Sequence, residues 1–116
     1  MDLLLTLLLA SPVFQLTASP RLALSDPGKG GAVVRFHAFI HGEETEEWYC
    51  PAIEWIWSDG TRSLRESDCP PWEEGYEGET SWIERRLLAP GLHRIEARLF
   101  KAGEVIARAS VEVEVK

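Results

Sequence analysis

The stretch GLHRIEARLFKAGEVIARASVEVEV, residues 91–115, decides the fold. His93, Ile95, Ala97 and Leu99 fall on one face of an alternating run, with charged residues between most of them. Val105, Ala107, Ala109, Val111, Val113 and Val115 do the same in the next run. A side-chain period of two is that of a strand buried on one face. The link between the runs fixes their register. A two-residue turn at Ala102-Gly103 sets Phe100 against Val105 and mixes an outward position with an inward one. A three-residue turn, Lys101-Ala102-Gly103, sets Phe100 against Glu104 and Leu99 against Val105, so the faces match and Glu96 meets Arg108. The pattern therefore predicts a hairpin with a three-residue turn.

Working back from that hairpin, the same period recurs. Ala32, Val34, Phe36, Ala38 and Ile40 share one face; Val33, Arg35, His37, Phe39 and His41 share the other. A strand over residues 48–57 puts Ile53, Trp55 and Trp57 together, and Ser58-Asp59-Gly60 turns after it. Residues 61–78 lack either period and read as a long loop rich in Pro, Gly and acids. Residues 80–88 form another expected strand, and residues 21–25 a short first one. Asp26 to Gly31 and Ala89-Pro90-Gly91 are turns. No segment after the apolar start has a 3.6-residue period. Short strands at this spacing predict an all-β antiparallel sandwich of about seven strands.

Length and composition bound the function. The 116 residues, 45% hydrophobic with five Trp, suffice for one domain with a core. The net charge is −7 with scattered basic residues, which argues against nucleic acid and anionic membrane surfaces as partners. Residues 3–10 are an apolar run of the length of a secretory leader's core and too short to span a bilayer. Ser11-Pro12 and Ala18-Ser19-Pro20 supply breakers and a small residue. The expected organisation is a leader at 1–18 cut after Ala18 and a domain at 19–116, secreted or periplasmic, with no membrane insertion once the leader is removed. The other reading of that start is an apolar first strand or arm packed on the domain. Cys50 and Cys69 suit an oxidising compartment, where a bridge closing their loop contributes on the order of 3 kcal/mol; in a reducing one they are buried thiols.

At Ile53-Glu54-Trp55-Ile56-Trp57-Ser58-Asp59-Gly60, and again over residues 87–99, the chain resembles the polycystic-kidney-disease (PKD) domain. That family shows aromatic–x–Trp–x–Phe–Gly–Asp–Gly and then Tyr–x–x–Pro–Gly–x–Tyr–x–Val–x–Leu–x–Val, in this order and spacing. Ile53 and Leu87 stand here for aromatics, Ser58 for Gly, and His93 for the usual corner Tyr. The resemblance covers residues 21–116 and implies an immunoglobulin-like (PKD-like) sandwich. Its motifs are core and turn positions and imply no catalytic residues.

The sequence carries little recognisable chemistry. His37 and His41, four apart on a strand, stand about 13 Å apart, too far to share a metal ion; they are expected on the outer face beside Arg35. His93 faces inward near a turn, as a satisfied core histidine would. The chain lacks a Gly-x-Ser-x-Gly elbow, a phosphate loop and a calcium loop. Runs such as Glu43-Glu44 and Glu73-Glu74 read as solvated. The expectation is a non-enzyme without cofactor or metal. Trp72 and Tyr76, on the loop after Cys69, together with Trp82, are the candidate ligand-binding residues. Trp72 and Tyr76 read equally as a lid folded over the sandwich edge. The leading expectation is an exported structural or adhesion-type module with a protein partner. A carbohydrate-binding module using Trp72, Tyr76 and Trp82 comes second, and an accessory or inhibitor domain of a hydrolase third.

Overall fold

Alternating side chains become two facing sheets. The computed structural model describes residues 12–43, 46–74 and 77–116. Among them are eight strands: β1 (Val13–Ser19), β2 (Leu22–Ala23), β3 (Ala32–Glu43), β4 (Ala52–Ile56), β5 (Arg62–Arg65), β6 (Glu77–Leu87), β7 (Gly91–Lys101) and β8 (Glu104–Val115). One sheet has the order β1-β3-β6, the other β2-β8-β7-β4-β5. All pairings are antiparallel except the two-residue contact of β2 with β8.

The inward faces read from the sequence meet in one core. Val34, Phe36, Ala38 and Ile40 of β3 face Ile53 and Trp55 of β4, Ile95, Ala97 and Leu99 of β7, and Val111, Val113 and Val115 of β8; all are buried. Phe36 joins the sheets, lying 6.2 Å from Trp55 and edge-on to Trp57 at 5.5 Å. Such aromatic pairs add about 0.5–1.5 kcal/mol beyond area burial. At the margin, Arg85 stacks on Trp57 at 4.5 Å and reaches Asp59 and Thr61. His93 is buried as expected. Its Nε2–H donates to the Ala89 carbonyl at 2.6 Å, which leaves Nδ1 to accept from the Ser58 hydroxyl. It thereby ties the turn after β4 to the turn before β7.

Three expectations are corrected. The β7–β8 hairpin uses the two-residue turn: Lys101 faces Glu104 and Phe100 faces Val105. Ala102 and Gly103 both have positive φ, 52° and 79°, as a tight primed turn requires. The ladder then shifts between Leu99 and Phe100, so that Leu99 faces Ala107. That bulge restores the face matching that the longer turn was expected to provide. In consequence Glu96 faces Ser110 and not Arg108, and Arg108 stands opposite Arg98.

The strand expected over residues 48–57 begins only at Ala52, after a 3-10 turn at Glu46–Trp48 and a positive φ of 51° at Cys50. The segment at 61–78 is not all loop. It contains β5, which pairs with β4, and β6 begins at Glu77. β5 is four residues with one apolar side chain, an edge strand too short and polar to show a period.

β1 takes residues that the sequence reading divided between leader and domain. It pairs with β3 along its whole length, from Val13 opposite His41 to Ser19 opposite Arg35, and Leu16 is buried.

Candidate functional site

The outer face of the β1-β3-β6 sheet carries the most concentrated aromatic surface among the described residues. Because inward positions of β3 are taken by the core, pleating sends Val33, Arg35, His37, Phe39 and His41 outward. Register brings neighbours beside them: Thr17 and Trp82 flank His37, Ser19 and Glu84 flank Arg35, Gln15 adjoins Phe39, and Val13 adjoins His41.

The rings form an ordered row. His37 stacks on Phe39 at 5.7 Å between centroids, and Phe39 on His41 at 5.6 Å. The imidazoles thus lie against the two faces of one phenyl ring. His41 Nε2 is 3.0 Å from Gln15 Oε1, which accepts its proton and fixes the ring's orientation. Trp82 is 59% exposed. The Arg35 guanidinium lies over its ring at 4.7 Å and bonds Glu84 at 2.7 Å. A half-exposed ion pair of this kind adds little stability in itself; here it holds arginine flat on tryptophan.

The other candidate residues are distributed differently. Cys50 and Cys69 have their sulfurs 2.01 Å apart, a disulfide bond, with Cα atoms at 6.2 Å. The bond joins the residue before β4 to the segment after β5, so it clamps the open end of that hairpin. The Tyr49 hydroxyl donates to the Pro70 carbonyl and ties down the segment that leads to Trp72. Trp72 is half-buried, and its buried indole N–H has no hydrogen-bond partner among the described residues. Tyr76 lies outside the described residues. Trp82 instead points out from β6, and its neighbours are His37 and Arg35. The sequence already placed His37, Phe39 and His41 outward on one strand. What it lacked was the β6 register that sets Trp82 beside them.

His37 and His41 stand on the outer face beside Arg35, as read from the sequence, and Phe39 separates them. Among the described residues, no three His, Cys, Asp or Glu side chains are grouped to hold a metal ion. Asp59 is held below its ordinary carboxyl range, first by the hydrogen bond from the Thr61 hydroxyl and then by that from the Thr61 N–H. That direction suits a turn-forming carboxylate and is opposite to what a general acid at neutral pH needs. Among the described residues no helix is long and apolar enough to cross a membrane.

Comparison with solved structures fits this geometry. The chain is similar to the CARDB domain of the PF1109 protein from Pyrococcus furiosus, solved in complex with di-metal ions. The TM-score is 0.55 at 11% identity, over 90% of this chain and 92% of that one. The fold is an immunoglobulin-like β-sandwich. At this identity the likeness of the two sandwiches is one of fold alone. A weaker similarity, TM-score 0.48 at 14% identity, is to the Pseudomonas fluorescens alkylpurine DNA glycosylase AlkC bound to DNA containing an abasic site analog. It covers 97% of this chain and 33% of that one and adds nothing to the fold assignment. No protein-family model and no curated protein matches this immunoglobulin-like chain.

Proposed function

We propose that this chain is an exported, non-catalytic module, a PKD-like variant of the immunoglobulin-like sandwich, that binds a protein partner in a structural or adhesion-type role. The surface it uses is the outer face of the β1-β3-β6 sheet. The observation that carries the reading is Trp82, exposed and backed by Arg35, beside the stacked row His37-Phe39-His41. Tryptophan and arginine are the residues that dominate protein interfaces, and rings already ordered lose little entropy when a partner covers them. Export is supported by the apolar segment at residues 3–10 and by the Cys50–Cys69 bond.

The carbohydrate reading has Trp82 in its favour, but a sugar stacks on a free ring face. Here Phe39 is covered by imidazoles, one face of Trp82 is taken by Arg35, and Trp72 is half-buried.

The test compares the wild type with Trp82→Ala and Arg35→Ala, immobilised and exposed to the extracellular protein fraction of the source organism and, separately, to a glycan array. Both changes are at exposed positions, so the melting temperature should hold within a few degrees. A protein retained by the wild type and lost from both variants is the expected result. Glycan binding that disappears with Trp82→Ala, with no protein retained, would replace this reading by the carbohydrate one.

A further inference from the structure

The two sheets have four outer strands, and β6 is the one that stands open. β2 and β5 are two and four residues long, too short to seat a partner strand. β1 lies against β8, beside β2, and is bounded by Pro12 and Pro20. β6 has eleven residues and pairs with β3 alone among the described residues. That pairing is unbroken from Ala32 opposite Leu87 to Ile40 opposite Glu79, and the bulge of the ladder falls beyond it. An edge of this length is a template for another strand unless charges, proline or a bulge protect it.

Those protections are drawn aside. β6 contains no proline. Its charged side chains at residues 84–86 are each engaged within the chain. Glu84 is bonded by Arg35 of β3 at 2.7 Å, and Arg86 donates to the Gly30 carbonyl at 3.0 Å. Arg85 reaches Thr61 at 2.8 Å and Asp59 at 3.6 Å. Ile83 is only half-buried, although Phe36 opposite it is fully buried, and a further strand would complete its cover.

We infer that β6 pairs antiparallel with β6 of a second copy of this chain, joining two three-stranded sheets into one of six strands. The strand's own sequence selects that partner. Trp82 is the sixth of its eleven residues, so full overlap sets Trp82 opposite Trp82 of the second copy, on the two-fold axis. Arg35 covers one face of the ring, and the residue is otherwise exposed, free to meet its counterpart. Aromatic pairs across strands stabilise a ladder. In the same register, by sequence, Glu84 stands opposite Thr80, Arg85 opposite Glu79 and Arg86 opposite Gly78, so no like charges meet. A slip that centres the pairing on Glu84, Arg85 or Arg86 would set like charges directly across the axis. Main-chain hydrogen bonds along the edge supply the affinity, and the tryptophan pair supplies the register. The contact is through the edge of the sheet and so goes beyond the binding role of its outer face.

Sedimentation equilibrium of the full chain, with no other protein present, measures the dimer. Trp82→Lys is expected to weaken association about ten-fold or more, since it replaces a ring pair by like charges on the axis. The position is exposed, so the fold should persist by circular dichroism. Trp82→Cys sets two thiols across the axis, and mild oxidation should link the two copies through them. Val33→Cys, also exposed but one strand inside the edge, should stay unlinked. A chain that remains monomeric at submillimolar concentration, a dimer undiminished by Trp82→Lys, or Trp82→Cys that links no better than Val33→Cys would each overturn the inference. Because only the purified chain is present, any of these results leaves the capture of another protein by the outer face to its own test.

Discussion

Trp55 and Trp57 lie two residues apart on one face, stacked at 5.8 Å, yet they are not equivalent. Trp57 donates its indole N–H to Ser63 Oγ at 2.9 Å and supports Arg85 on its ring. Trp55 is fully buried and its N–H has no acceptor among the described residues. A buried donor left unpaired costs about 1–3 kcal/mol. Phenylalanine at 55 removes that penalty while keeping an aromatic ring against Phe36, although it loses volume. At 57 the same change loses the hydrogen bond to Ser63. Trp57→Phe is therefore expected to destabilise more than Trp55→Phe, by about 1–2 kcal/mol, despite the deeper burial of Trp55. Urea unfolding with an unchanged m-value measures the difference, and the reverse order would show that volume, not hydrogen bonding, governs these positions.

The β7–β8 hairpin shows how far element-level reasoning reaches from sequence. Alternation identified both strands, the inward faces, and the outward placement of His37 and His41, because burial on one side leaves a period-two trace. It could not identify the loop length, since two different solutions keep the faces matched: a longer turn, or a short turn followed by a bulge. The protein uses the second. Ala102 adopts a left-handed conformation that costs an ordinary L-residue on the order of 1 kcal/mol. Asparagine tolerates that conformation and forms the preferred Asn-Gly pair with Gly103. Ala102→Asn should thus raise the melting temperature by about 4–8 °C per kcal/mol recovered. A three-residue turn would gain nothing from the change, so the melting curve tests the register itself. β5 stayed hidden for a different reason: Arg62-Ser63-Leu64-Arg65 has its pairing written in β4 and not in its own pattern. Trp82 was legible as a candidate residue, but its neighbours came from strand register, which is a property of three segments together.

At the scale of the whole molecule, charge and the first strand bear on how the protein presents itself. Residues 43–79 hold twelve acidic residues against two basic ones, a net of −10, and the rest of the chain holds seven against ten, a net of +3. The acidity is thus concentrated in one stretch of the sequence, which carries β4, β5 and the segments around the disulfide. β1 sets a limit on processing. A cut after Ala18 would remove six of its seven residues, take Leu16 out of the core and leave β3 paired only with β6. The remaining two strands would have to cover the core of a five-stranded sheet. A chain that starts at Ser19 should accordingly unfold at a lower temperature than one starting at Pro12, which keeps β1 whole, or aggregate. Under the proposed export, the same argument expects a mature N-terminus that leaves β1 whole, and the intact mass of protein recovered from outside the cell checks this. A stable mature product beginning at Ser19 would mean that β1 is dispensable and that β3 presents a free edge for another chain to pair with.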